Sequence, residues 1–333
     1  MPRRLVQGLL GLAVSLVCGW LALRRVNLHD VADALRGARY VWLLPALAAL
    51  AAGVLMRTER WRLLFTPEGR PSLGVTFWAY ATGLFLNNVL PARAGEVARV
   101  LALNRETGIP RTQGLVTVVV ERVFDLASLA ILLLALVGFV PHTATVVNLL
   151  VASGVILVLT ALLVGVLAIA RLRPHVARLI HRLPVVGGAR GDRTINSLGR
   201  GLSTLRRRDL AAPVLAWSLA SWLALGLSNW LVLQAFPGIH APWHAAVLAL
   251  VTTNLAQVLP SSAGAIGVFE VAAKAALTAY GASDALALSY GLVLHAVNLV
   301  PYLVLGAFAL GRIGLSGREL LRPGQVGGEG RVP

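Results

Sequence analysis

Apolar residues gather in eight long runs along the chain, at about 5–23, 41–56, 72–90, 113–140, 143–170, 210–236, 243–259 and 284–310. Each is long enough, or nearly so, to cross a bilayer as a helix. The runs are continuous and rich in Leu, Ala, Val and Gly, without the two-residue alternation of a membrane barrel. The pattern predicts an all-α, polytopic membrane protein of about eight transmembrane helices. Between the first two runs, residues 24–40 make a short amphipathic segment. Leu28, Val31 and Leu35 lie on one side and Asp30, Asp33 and Arg36 on the other, as expected of a helix on the membrane surface. After the second run comes RTERWRLLF (57–65), which reads as interfacial anchoring by Trp61 and the arginines.

Two breaks interrupt this regularity. The third run stops at Pro91, and the polar stretch 91–104 is too short for another crossing. Pro91 ends a helix, Gly95 relaxes the backbone, and Glu96 opens a fresh one. The seventh run stops at Pro260, and SSAGAIGVFE (261–270) begins a second short helix that ends near Tyr280. Such broken, re-entrant segments are tolerated at membrane depth only where protein or a watery cavity covers them.

The breaks resemble each other. LPARAG (90–95) and LPSSAG (259–264) share Leu-Pro and Ala-Gly, and an acid follows in each new helix, Glu96 and Glu270. With Gly108 set on Gly281, Arg122 falls on His295 and Asp125 on Asn298, so a polar pair spaced i, i+3 recurs on one helical face. The expected organisation is one transmembrane domain over 1–311. It divides into repeats at about 41–140 and 210–311, joined by the span 143–170 and an arginine-rich loop at 171–209. A disordered tail covers 312–333. With both termini cytoplasmic, the two breaks approach the midplane from opposite faces, as in an inverted repeat.

Composition supports the membrane reading: 57 % of the 333 residues are hydrophobic and 13 % charged, and the mean hydropathy is +0.76. A net charge of +16 suggests nucleic acid, but the arginines lie mainly between the apolar runs. Residues 171–208 alone hold ten against the single acid Asp192. That distribution is the positive-inside pattern, so no nucleic-acid partner is expected. The one cysteine, Cys18, excludes an internal disulfide or cysteine metal site. Arg3-Arg4 and the following apolar run have the look of a signal sequence, yet the run continues to Leu23, so an uncleaved helix is expected.

Polar groups inside apolar spans mark sites by default. A helix that begins within the membrane presents free N–H groups and a positive dipole end, which suits an anion such as phosphate. Arg93, Arg99 and Arg122 add bidentate phosphate contacts, beside Asn88 and Gly95. Glu96 and Glu121 position these arginines or carry a proton. Ser261 and Ser262, with Gly264, offer neutral donors at the second break, near Glu270, His295 and Asn298. The competing reading of Arg122, Asp125 and Glu121 is an ion cluster with a packing role. No metal site, cofactor or nucleophile–base pair is legible, so no enzymatic activity is expected.

The motifs NNVLPARAGEVARVLAL (87–103), VVVERVFDL (118–126) and LPSSAGAIGVFE (259–270), supported by RTERWRLLF (57–65), resemble the lysylphosphatidylglycerol synthase transmembrane-region family. That family's flippase-like proteins extend over essentially residues 5–311 here. The resemblance implies movement of an anionic or aminoacylated phospholipid between leaflets, with no aminoacyltransferase domain in this chain. By position it implies that Arg93, Gly95, Glu96, Arg99, Glu121, Arg122 and Asp125 are the polar motif residues. Ala263 stands where a proline-glycine turn is common, and His295 where arginine is common, which implies a weaker anion grip in the second repeat. The expectation is therefore a phospholipid translocase of the bacterial cytoplasmic membrane whose partner is a membrane phospholipid or other anionic lipid. Alternatives are a polyprenyl-phosphate carrier, a lipid-modifying membrane enzyme, and a non-transporting partner that recruits a soluble lipid-modifying enzyme. A homo-oligomer is a further open state.

Overall fold

The computed structural model describes residues 3–24, 26–90, 94–141, 208–257 and 262–314, with a few helical positions between 147 and 158. The fifth apolar run, the arginine-rich segment 171–207, Arg93, Ser261 and the tail from 315 lie outside the described residues. Among those described, every regular element is helical: α1 (Arg3–Leu23), α2 (Leu28–Arg36), α3 (Leu43–Leu63), α4 (Leu73–Val89), α5 (Gly95–Thr107), α6 (Arg111–Leu136), α7 (Arg208–Gln234), α8 (Trp243–Ala256), α9 (Val268–Thr278) and α10 (Asp284–Ile313). The chain is an all-α polytopic membrane protein.

Among the described residues, three stretches are long and apolar enough to span a bilayer unaided: Tyr40–Leu63, Ala212–Gln234 and Asp284–Ile313. A fourth arises if α1 and α2, bent by 79°, form one broken span. The other runs within the described residues fall short for physical reasons. Helices α4 and α8 have 17 and 14 residues, while α6 has 26 but carries Glu121, Arg122 and Asp125. The surface is correspondingly apolar: Val41, Leu44, Leu134 and Phe308 are exposed, whereas Arg60, Glu121 and Ser128 are wholly buried. That inside-out distribution suits a hydrocarbon solvent, in which polar groups must find partners inside the protein.

The two halves repeat one order of elements. Helices α3 to α6 have 21, 17, 13 and 26 residues; α7 to α10 have 27, 14, 11 and 30. The turn before each last helix holds a glycine at positive φ, Gly108 at 71° and Gly281 at 84°. Both occupy the left-handed region that side chains resist. Helix α3 lies along α7, α4 packs on α5 and α10, and α9 packs on α8 and α10. Helix α1 rests on α9, where Lys274 Nζ donates to the Ala22 carbonyl and pairs with Asp284.

Several expectations need correction. RTERWRLLF is not an interfacial anchor. No breaker stands before Pro67, so α3 continues through Leu63, and Arg60 and Trp61 are fully buried. Gly95 does not loosen the break. It is the first residue of α5, and a Cβ there would lie 2.1 Å from the Gly83 carbonyl oxygen and 2.5 Å from Asn87 N. Its role is close approach of α5 to α4, as small residues permit between membrane helices. Arg312 and Ile313 belong to α10, not to the tail. The amphipathic segment forms α2, but Val31 is buried against Ala22 and Leu288, while Leu28 stays exposed.

Candidate functional site

A polar cavity of about 160 Å³ opens where the two halves meet. Helices α3 and α4 contribute Arg57, Tyr80, Asn87 and Asn88; α5 and α6 contribute Glu96, Arg99, Arg122 and Asp125. The opposite wall comes from Trp222 and Asn229 on α7, Thr253 and Asn254 on α8, and His295, Asn298 and Tyr302 on α10. Gly264, in the second break, closes one side.

Behind the first wall lies a buried ion cluster. Glu121 accepts from Arg60 Nη2 at 2.5 Å and from Arg99 Nη2 at 2.7 Å. Asp125 Oδ1 accepts from Arg60 Nη1 at 2.6 Å and from the Trp222 indole N–H at 3.2 Å. Its other oxygen stands 3.5 Å from Arg122 Nη1, and Arg122 Nη2 is 2.8 Å from Glu96. Arg99 is further held above the rings of Trp61 and Tyr80, at 4.6 and 5.2 Å. Trp61 is fixed in turn by its N–H donating to Thr117. Charges so deeply desolvated persist only with partners at this range, and stripping one partner costs about 3–5 kcal/mol.

The second half is built differently. Glu270 Oε2 accepts from the Gly267 N–H at 2.7 Å and caps its own helix, while Oε1 lies 2.5 Å from His295 Nδ1. His295 stacks on Phe269 with ring centroids 4.4 Å apart. Asn298, at the position matching Asp125, donates only to the Leu294 carbonyl of its own helix.

The structure brings Asn88, Glu96, Arg99, Arg122, Asp125, Gly264, His295 and Asn298 to one cavity. Glu121, Gly95 and Glu270 stand outside its lining as supports. Ser262 does not serve the cavity: its hydroxyl and backbone N–H both meet the Ser15 hydroxyl of α1, at 2.8 and 2.9 Å. Arg93 and Ser261 lie outside the described residues. Arg99, expected as a phosphate ligand, is committed to Glu121 and 3 % exposed, whereas the Arg122 side chain is 44 % exposed. Sequence reasoning missed Arg57, Arg60 and Trp222. The signal was present: Leu50, Gly53, Val54, Arg57, Arg60 and Trp61 follow the helical period, so one buried stripe of α3 simply turns polar.

Comparison with known proteins agrees with this architecture. The profile of the lysylphosphatidylglycerol synthase TM region matches residues 8–306. The chain belongs to that family. Among curated relatives, it is 29 % identical over 286 residues to a UPF0104 membrane protein of Methanothermobacter thermautotrophicus, covering 80 % of this chain and 82 % of that one. It is also 29 % identical over 294 residues to glycosyltransferase AglD of Haloferax volcanii. That match covers 76 % of this chain but 47 % of the relative, so it spans about half of that protein. No solved structure matches. Family and apolar helices together place the protein in a membrane, with a function related to membrane lipids.

Proposed function

We propose that the protein binds the phosphate-bearing headgroup of an anionic or aminoacylated phospholipid in this cavity and passes it between leaflets. The observation that carries the reading is the half-exposed Arg122 guanidinium facing a polar cavity at the junction of two like-ordered helix sets. The breaks before α5 and α9 would be re-entrant, entering from opposite faces, so that rocking one half against the other exposes the cavity alternately. The acyl chains would stay in hydrocarbon beside the exposed apolar faces, which removes the need for a large pocket.

The lipid leaves chemically unaltered on this reading, which makes the protein a carrier and not an enzyme. Reconstituted in liposomes with fluorescent phospholipids, wild-type protein should equilibrate the label between leaflets. Arg122→Ala should lose most of that rate while Glu96 keeps its solvent contact. Unchanged transport by the variant would end the assignment, and covalently altered lipid would move it to an enzyme class. A second reading, a polyprenyl-linked lipid as cargo, is favoured by the relative named as a glycosyltransferase. The lipid that co-purifies with the protein decides between them.

A further inference from the structure

The charges around the cavity do not cancel, and the surplus has an address. Arg60, Arg99 and Arg122 are matched by Glu121, Asp125 and Glu96. Arg57 makes no ion pair with any described residue. Its guanidinium lies over the Trp222 ring at 4.3 Å, and its Nε and Nη2 are buried without any hydrogen-bond partner. These two nitrogens share the edge of the guanidinium that grips an oxyanion side-on. Five residues further along α3, Arg62 shows that edge in use, with Nε and Nη2 at 2.6 and 2.7 Å from the two oxygens of Glu59. Every lining carboxylate, by contrast, is already engaged: Glu96 and Asp125 by arginines. Behind the opposite wall, Glu270 is closed on His295. Among the described residues the cavity therefore has a spare cation and no spare anion.

The rest of the lining is amide. Asn88, Asn254 and Asn298 each donate Nδ2 to the carbonyl four residues back, at 2.8 Å. Each amide oxygen is thereby left as an acceptor for a hydroxyl group. Neutral acceptors beside one unmatched guanidinium are what a polyol attached to a singly charged phosphodiester requires. An ammonium-bearing head would find no free carboxylate, and a phosphate monoester would bring more charge than Arg57 balances.

We infer that the cavity selects a monoanionic phosphodiester lipid with a neutral, hydroxyl-bearing head, and that Arg57, seated on Trp222, is the residue that grips its phosphate. This rests on the cavity being the headgroup site. Two lipids share that chemistry, phosphatidylglycerol and a polyprenyl-phosphohexose.

The test is binding of four defined lipids to purified full-length protein in detergent, read by native mass spectrometry. The set is phosphatidylglycerol, a short polyprenyl-phosphohexose, lysyl-phosphatidylglycerol and a short polyprenyl monophosphate. One or both phosphodiesters with neutral heads should bind at least about tenfold more tightly than the other two. Arg57→Gln should abolish that preference and Arg57→Lys should retain part of it. Asn254→Leu should weaken the hydroxyl-bearing lipids selectively, and it keeps the test open if the arginine variants fail to fold. Whichever phosphodiester wins names the source. Equal or tighter binding of lysyl-phosphatidylglycerol, or undiminished preference in Arg57→Gln, overturns the inference while leaving the headgroup site intact. Identical retention of all four lipids by wild type, Arg57→Gln and Arg122→Ala overturns the headgroup site itself.

Discussion

The two halves solve the same placement problem with different materials. In the first, Asp125 is held by Arg60, Arg122 and Trp222, which draws α3, α6 and α7 to one point. Glu121 adds α5 through Arg99. In the second, the matching positions carry His295 and Asn298. One pairs with Glu270 and the other bonds only within its own helix. The first arrangement ties four helices together, and the second joins only the consecutive helices α9 and α10. Buried ion clusters add little net stability against apolar packing of the same volume. An Arg-rich half beside a quiet half therefore points to a task for the charge, and the cavity lies where the two meet.

This contrast can be broken by experiment. The largest effect should follow Glu121→Gln, which leaves Arg60 and Arg99 sharing a neutral amide. A loss of about 3–5 kcal/mol is expected, read as a lowered melting temperature of purified protein or failure to express. Next comes Gly95→Ala. The added methyl must displace the α4 backbone at Gly83 and Asn87, and about 1–3 kcal/mol should be lost, seen in the same melting assay. Glu270→Gln should be milder, at about 1.5 kcal/mol, because the amide oxygen can still accept from Gly267 and only the His295 contact is weakened. If Glu270→Gln destabilises as much as Glu121→Gln, the local-versus-cross-link distinction fails. The smallest changes sharpen the comparison. Gly108→Ala and Gly281→Ala meet no neighbouring atoms, so each should cost only the left-handed backbone term, about 1 kcal/mol, and the two melting shifts should agree.

Much of the helical framework was legible from the chain. The interruptions after α4 and α8, the turn glycines Gly108 and Gly281, and the pairing of Arg122 with Asp125 all followed from spacing. Some helix starts were legible because caps act locally, as Ser72 and Ser283 do by accepting from backbone N–H groups three residues on. Three readings failed for one reason. RTERWRLLF was assigned to the headgroups, Ser262 to the cavity, and Arg99 to a ligand. In each case the side chain's partner lies on another helix, beyond the reach of a local pattern: Glu121 for Arg60 and Arg99, Ser15 for Ser262.

Hydrophobic run length, proline and glycine placement, and arginine asymmetry are properties of segments, and they were sufficient for an all-helical membrane protein with two matching breaks. Which guanidinium is consumed by a carboxylate and which is left over is a property of contacts 22 to 65 residues apart in the chain. No local pattern separates Arg57 from Arg60, three positions away on the same stripe. Packing of α3 between α6 and α7 sets Arg60 between Glu121 and Asp125 and leaves Arg57 over Trp222. In a low-dielectric interior that difference of one helical turn decides which charge stabilises the bundle and which remains for a ligand.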